Sequence, residues 1–156
     1  MGKLIAMLVL LPCPLLGQTG VTAMFPPEAA CFQRHYDAAH LAKHPQQQIT
    51  DIALTSAEGQ EVSTSLVVDI SVKLRGGADS YIGSAYCEPD TVGLSCGMEG
   101  DAGAFSLALR DGGALLLRVD SGGMSFEGER DFFTLSGSSG DDRVFLMHPV
   151  AAADCF

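Results

Sequence analysis

The stretch LVVDISVKL at residues 66–74 decides the fold class of this chain. Apolar side chains occupy every second position, and the polar residues Asp69, Ser71 and Lys73 lie between them. A period of two is typical of a β-strand that buries one face and exposes the other to water. The pattern therefore predicts a half-buried strand, which we extend from Val62 to Arg75.

The same alternation recurs from residue 48 towards the C-terminus. Segments rich in Gly, Asp and Ser separate the apolar runs and supply residues that tolerate the positive φ angles of tight turns. About nine strands joined by short loops favour an antiparallel meander, either a small barrel or a two-sheet sandwich, and we favour the barrel. The predicted strands are Ile49 to Thr55, Val62 to Arg75, Tyr81 to Cys87, Leu94 to Met98, Ala104 to Arg110, Ala114 to Asp120, Met124 to Glu127, Phe132 to Leu135 and Val144 to His148.

One helix is predicted ahead of the strands. Residues Glu28 to Lys43 are rich in Ala and contain neither Gly nor Pro. Pro45 then ends the helix, because proline lacks an amide donor and disfavours the helical conformation of the preceding residue. The predicted fold class is all-β, with one short N-terminal helix.

The first residues have the composition of a secretion signal. Lys3 precedes an apolar run from Leu4 to Leu11, and small or compact residues lie at the positions before Ala23 that a signal peptidase reads. We predict a signal peptide at residues 1–23 and a single domain at residues 24–156. Because the apolar run is far shorter than the roughly 20 residues that cross a bilayer, we expect no stable membrane insertion.

The cysteines support export. Cleavage removes Cys13 and leaves four of the five cysteines, the even number expected of an oxidising compartment. Four cysteines allow three connectivities. Since Cys87 and Cys96 flank a turn-rich loop, we predict that they pair, and that Cys31 pairs with Cys155. The expected location is exported, either periplasmic or secreted.

Acidic residues dominate the charged composition. The chain contains 19 Asp and Glu against 9 Lys and Arg, a formal net charge of −10, and loss of Lys3 with the signal makes it −11. Such a field repels nucleic acid and anionic lipid and favours a basic protein as partner. We expect a monomer that binds no nucleic acid and carries no cofactor.

A pair of histidines offers a metal-binding alternative. His40 and His44 are four residues apart, so both rings could face one Zn²⁺ from the predicted helix. Leu41 follows His40, and the His-Glu-x-x-His pattern of metalloproteases is therefore absent. We predict an ordinary helix surface here and keep metal binding as the alternative.

A second motif points towards catalysis, but its context contradicts that reading. Residues 93–97, GLSCG, match the formula of the nucleophile elbow of hydrolases. That motif needs a strand followed by a helix, whereas the glycine-rich residues 98–103 do not sustain a helix. We predict that the protein is not an enzyme.

The stretch from Cys87 to Cys155 contains the string SGGMSF at residues 121–126, a second aromatic segment FFTLSG at residues 132–137, and a terminal cysteine. In this order of segments the chain resembles the periplasmic inhibitors of C-type lysozyme, which are small β-barrels. The resemblance implies that Ser121 enters the lysozyme cleft, and Phe126 is the aromatic of the same segment. Where that family has a lysine, Ser136 precedes Gly137 in this chain.

The functional prediction combines these observations. We expect a non-enzymatic binding or interaction protein of a bacterial cell envelope. The most specific function that we predict is inhibition of a basic protein such as lysozyme. One alternative is a lipocalin-like binder of small molecules, with Phe126 and other aromatic residues lining the barrel. The other alternative is the metal-binding protein that uses His40 and His44.

Overall fold

The structure is a computed structural model that describes residues 31–56 and 66–156. The predicted signal peptide at residues 1–23, the start of the predicted helix at residues 28–30, and the first residues of the strand predicted from Val62 lie outside the described residues. Among the described residues, no helix is long and apolar enough to cross a membrane.

Nine strands and one short α-helix make up the regular structure of the described residues. Short 3₁₀ turns at Glu99–Asp101, Asp111–Gly113 and Ala152–Asp154 join or follow the strands. In chain order the elements are β1 (Cys31–His35), α1 (Ala38–Lys43), β2 (Ile49–Ser56), β3 (Leu66–Leu74), β4 (Ser80–Asp90), β5 (Gly93–Met98), β6 (Gly103–Leu109), β7 (Leu115–Glu127), β8 (Phe132–Leu135) and β9 (Val144–Val150).

Every strand pairs antiparallel with its neighbour, and the sheet closes on itself. Strands β1 to β7 follow one another around the wall, and β9 joins β7 back to β1. The fold is therefore a closed eight-stranded antiparallel barrel, with β8 as a further strand on β7. The all-β meander is confirmed, and of the two predicted forms the barrel is the observed one, because closure removes exposed edges.

One predicted turn proves to be the middle of a strand. The sequence separates Ala114 to Asp120 from Met124 to Glu127, but β7 runs without a break through both. Its first part pairs with β9 and its last part with β8, along the same edge of β7. The prediction of a turn at residues 120–123 is wrong, because β7 continues through these residues while its partner on this edge changes from β9 to β8.

The predicted helix is also corrected. Residues Cys31 to His35 form strand β1, and α1 is only six residues long. Phe32 is fully buried, and β1 pairs with both β2 and β9, so this strand closes the barrel. The pairing and burial gained by closure exceed the helix preference of the Ala-rich segment. Within α1, the Asp37 side chain caps the helix by accepting the backbone N–H of His40 at 2.7 Å.

The inward side chains of every strand fill the barrel with one apolar core. On β3, the alternation predicted from the sequence is observed, with Leu66, Val68, Ile70 and Val72 all buried. The largest fully buried side chains of the described residues are Phe32, Phe105, Phe126, Phe145, Ile49, Ile52, Leu54, Leu66, Ile70, Leu107, Leu115 and Leu117.

Both predicted disulfides are confirmed. Cys87 and Cys96 lie directly opposite each other on β4 and β5, with their Cα atoms 4.0 Å apart. Cys31 on β1 is joined to Cys155 after β9, across 124 residues of sequence. The first bridge fastens a hairpin, and the second ties the start of the described barrel to its end.

Candidate functional site

A groove opens where the barrel wall divides. Strand β4 pairs with β5 only from Ala85 onwards. Earlier in β4, one residue pairs with β7, namely Ile82 with Glu127. The 3₁₀ turn Glu99–Asp101 occupies the space between these strands, and the Ser125 N–H donates to the Ala102 carbonyl at 2.7 Å. The resulting groove has a volume of about 720 Å³.

Carboxylates and apolar side chains line this groove together. Four of its residues are acidic, and among the 15 described residues that line it none is Lys or Arg. The two ion pairs within the described residues each involve a histidine, and neither includes a groove residue. The lining residues are Asp69, Ile70, Ser71, Ile82, Gly83, Ser84, Met98, Glu99, Gly100, Asp101, Ala102, Ser125, Phe126, Glu127 and Phe132.

Three outward side chains lie in a row along one side of the groove. Ile82 on β4 lies opposite Glu127 on β7, and Glu127 in turn lies opposite Phe132 on β8. Ile82 is 58% exposed and Phe132 is 74% exposed, which is unusual for large apolar side chains. The row therefore presents a carboxylate with an exposed apolar side chain on each side.

One groove carboxylate is held by a hydrogen bond, and another belongs to a residue with left-handed backbone. Asp69 accepts a hydrogen bond from the Ser84 hydroxyl at 2.6 Å, across the β3 and β4 pair. Asp101 has a φ of 61°, and it follows Gly100, whose φ is 66°. Because Asp tolerates this left-handed conformation better than most residues, the turn can place a carboxylate at the rim.

Phe126, a binding residue predicted from the sequence, lies in the floor of the groove. It is only 1% exposed, and its ring stacks on Phe133 with centroids 6.3 Å apart. Gly83 lies close to the Phe126 ring, since a Cβ at this position would be 3.4 Å from a ring carbon. Phe126 thus belongs to the apolar core, and the groove lies on the outer wall above it.

Ser121, the other predicted binding residue, is exposed on β7 and does not line the groove. Gly137 packs so closely against β7 that an added Cβ would overlap the Asp120 carbonyl oxygen. The two segments that carry the resemblance to lysozyme inhibitors are therefore neighbours in space. At the position of the missing lysine, the Ser136 hydroxyl accepts the Ser139 N–H at 3.2 Å.

His40 lies on α1 and His44 directly follows the helix, and their rings are engaged with neighbours. The two rings stack with centroids 4.3 Å apart, and His40 Nε2 lies 3.0 Å from the Oε1 of Gln47. The Gln47 amide nitrogen donates to the Ile49 carbonyl, so its oxygen faces His40 as an acceptor. Within residues 31–56 and 66–156, no three His, Cys, Asp or Glu side chains are grouped to hold a metal.

The segment that matches the nucleophile elbow lies in a hairpin. Ser95 is exposed in the middle of β5, and Cys96 is bound to Cys87. The chain continues through the Glu99–Asp101 turn into strand β6. The strand-to-helix geometry that exposes a catalytic serine is therefore missing from this segment.

Sequence reasoning missed the groove residues Asp69, Glu99, Asp101 and Glu127. They come from three separate elements, and the high proportion of acidic residues was their only signal in the sequence. Their assembly depends on the point at which β4 leaves β5, which the strand pattern does not reveal.

Comparison with protein-family models, with curated proteins and with solved structures finds no match to this chain.

Proposed function

We propose that this chain is an exported, non-enzymatic binding protein that holds a basic protein partner in the acidic groove. The observation that carries the proposal is the groove itself, with four carboxylates, exposed Ile82 and Phe132, and no Lys or Arg in its described lining. A partner with a cationic and partly apolar segment has the matching chemistry.

The two kinds of groove residue contribute differently to such binding. An exposed ion pair stabilises a complex by only about 0–1 kcal/mol, so the carboxylates mainly set the preference for a cationic partner and speed its approach. Burial of an exposed large apolar side chain contributes about 1.5–3 kcal/mol. Ile82 and Phe132 are therefore the residues from which we expect most of the affinity.

Two disulfides support the proposed location outside the cytoplasm, because such bonds persist in oxidising compartments. The predicted signal peptide points the same way. C-type lysozyme is the specific partner that we propose, since it is basic and since the two segments similar to lysozyme inhibitors are adjacent. In this proposal the protein is an inhibitor of lysozyme.

The test is calorimetric titration of the domain with a C-type lysozyme, together with an assay of cell-wall lysis. We expect 1:1 binding and loss of lysis. The triple variant Glu99→Gln, Asp101→Asn, Glu127→Gln should weaken binding about tenfold, since three exposed ion pairs at about 0.5 kcal/mol each correspond to that factor.

A control variant keeps the same loss of charge but places it elsewhere. Glu88→Gln, Asp90→Asn and Asp111→Asn remove three exposed carboxylates that do not line the groove. We expect binding close to that of the unmodified protein. Equal weakening in both triple variants would show that net charge, not the groove, determines binding, and absence of binding would remove lysozyme as the partner.

A further inference from the structure

We propose that the groove is specific for arginine, and that it anchors an arginine side chain of its partner on the row formed by Ile82, Glu127 and Phe132. This inference rests on the proposed function, because it names the side chain by which the basic partner is recognised. It concerns the outer wall of the barrel, away from Ser121.

The strand register brings the three side chains together. Ile82 pairs with Glu127, and Glu127 pairs with Phe132, so the three residues lie side by side across β4, β7 and β8. Glu127 follows the buried Phe126, Phe132 precedes the buried Phe133, and all three residues are themselves exposed, so they face outward. Directly opposed residues on antiparallel strands have Cβ atoms about 4.5–5.5 Å apart, which is within reach of a single long side chain.

The chemistry of the row fits a guanidinium better than an ammonium group. A guanidinium is planar and weakly hydrated, so it can lie on the face of Phe132 while it donates two hydrogen bonds to the Glu127 carboxylate. The aliphatic stem of the same side chain would cover Ile82. A lysine ammonium is compact and strongly hydrated, and it would use the carboxylate alone.

Among the described residues, no Lys or Arg lines this row. Arg130 lies in the turn between β7 and β8 but is not among the residues that line the groove. Asp131 in the same turn is hydrogen-bonded to Tyr81, and this bond raises the pKa of the Tyr81 hydroxyl. The hydrogen bond between Asp131 and Tyr81 thus fixes the turn, while the adjacent Phe132 is 74% exposed.

The experiment compares blocked hexa-arginine and hexa-lysine peptides by calorimetry at low salt. We expect the arginine peptide to bind about five- to tenfold more tightly, consistent with the strength of stacking between a cation and an aromatic ring. In Phe132→Leu, which keeps an apolar side chain but removes the aromatic face, the two peptides should bind equally, with the affinity for hexa-lysine unchanged.

Tyr86→Leu is the matched control. Tyr86 is an exposed aromatic residue of β4 that does not line the groove, and its replacement should leave the preference for arginine intact. Glu127→Gln should weaken the binding of both peptides, whereas Glu88→Gln should weaken the binding of neither. Because Phe132 and Tyr86 are both exposed, neither leucine variant should alter the unfolding transition, which is measured alongside.

The outcomes separate this inference from the proposed function. The arginine anchor is wrong if both peptides bind equally to the unmodified protein. If the groove triple variant nevertheless binds lysozyme more weakly, the proposed function stands. A preference for arginine that persists in Phe132→Leu would also overturn the anchor. If neither lysozyme nor the peptides respond to the groove variants, the proposed function fails and the anchor fails with it.

Discussion

Asp142 joins two loops at one end of the barrel through its carboxylate. The side chain is only 3% exposed, and it accepts the backbone N–H of Gln48 at 2.6 Å and that of Ile49 at 3.4 Å. Its neighbour Asp141 accepts the Gln46 N–H at 3.2 Å. These bonds connect the start of β2 and the segment before it to the long loop between β8 and β9.

Replacement of Asp142 should separate loss of the hydrogen bonds from loss of the charge. Asp142→Ala leaves the Gln48 and Ile49 amides without an acceptor, and we expect the free energy of unfolding to fall by about 1–3 kcal/mol. Asp142→Asn keeps one acceptor oxygen and should cost less. Urea unfolding of both variants measures this order, and a more stable alanine variant would contradict the role of the carboxyl oxygens.

The pH dependence of stability should also report on Asp142. Burial raises the pKa of its carboxyl above the ordinary value, although the hydrogen bonds from Gln48 and Ile49 oppose the shift. The folded protein therefore holds this proton more tightly than the unfolded chain does. Its contribution to stability is greatest at low pH and falls as pH rises through the raised pKa.

Asp142→Asn cannot titrate, so its stability relative to the unmodified protein should increase as pH rises from the ordinary pKa of an aspartate carboxyl through the raised pKa of Asp142. Unfolding in urea across this range gives the difference between the two proteins at each pH. A difference that stays constant or changes in the opposite direction would show that the carboxyl has no raised pKa.

At the scale of elements, β7 is the strand around which the end of the barrel is arranged. Strands β8 and β9 pair in turn with its two parts, and the loop between them returns to β7 at Gly137. A side chain at Gly137 would overlap the Asp120 backbone, which cannot move without shifting β7 itself. The close approach therefore requires glycine.

Gly137→Ala should destabilise the protein, at the upper end of the roughly 1–3 kcal/mol that overpacking costs. Gly97→Ala in β5 is the control, since no atom lies within 4 Å of a Cβ at that position. We expect the control to be neutral or slightly stabilising, because alanine restricts the unfolded chain. Thermal unfolding compares the two, and equal stability would mean that the loop can move away from β7.

The elements also show how far the sequence could predict the fold. Alternation over β2 to β6 identified strands within a few residues of their observed ends, because each buries one face. It failed at Cys31 to His35, where helix propensity is local but the partners β2 and β9 are distant in sequence. It failed again at residues 120–123, because glycine marks an irregularity within a strand as well as a turn, and the pairing of β7 with β6 shifts register here.

At the scale of the whole molecule, the candidate site was less predictable than the fold. The net charge of −10 predicts a basic partner, but it does not indicate where on the molecule that partner binds. Residues 69, 99, 101 and 127 meet where β4 leaves β5 and pairs with β7 instead. Phe132 is of a residue type that is usually buried, whereas its register places it outward at 74% exposure.

The two disulfides should differ in how much they stabilise the whole barrel. A bridge restricts the unfolded chain more when it closes a longer loop, and here the sequence separations are 124 residues for Cys31–Cys155 and 9 residues for Cys87–Cys96. The chain-entropy relation gives about 5 kcal/mol for the first bridge and about 2.6 kcal/mol for the second.

Paired Cys→Ala variants, which leave no free thiol, should therefore lower the free energy of unfolding more for Cys31 and Cys155 than for Cys87 and Cys96. Packing acts in the opposite direction. Cys87 and Cys96 are both fully buried, whereas Cys155 is half-buried. Removal of the Cys87 and Cys96 sulfur atoms therefore leaves the larger cavity. Denaturant unfolding of the two variants decides between these effects. A lower stability for the Cys87 and Cys96 variant would mean that filling the interior matters more to this barrel than joining its ends.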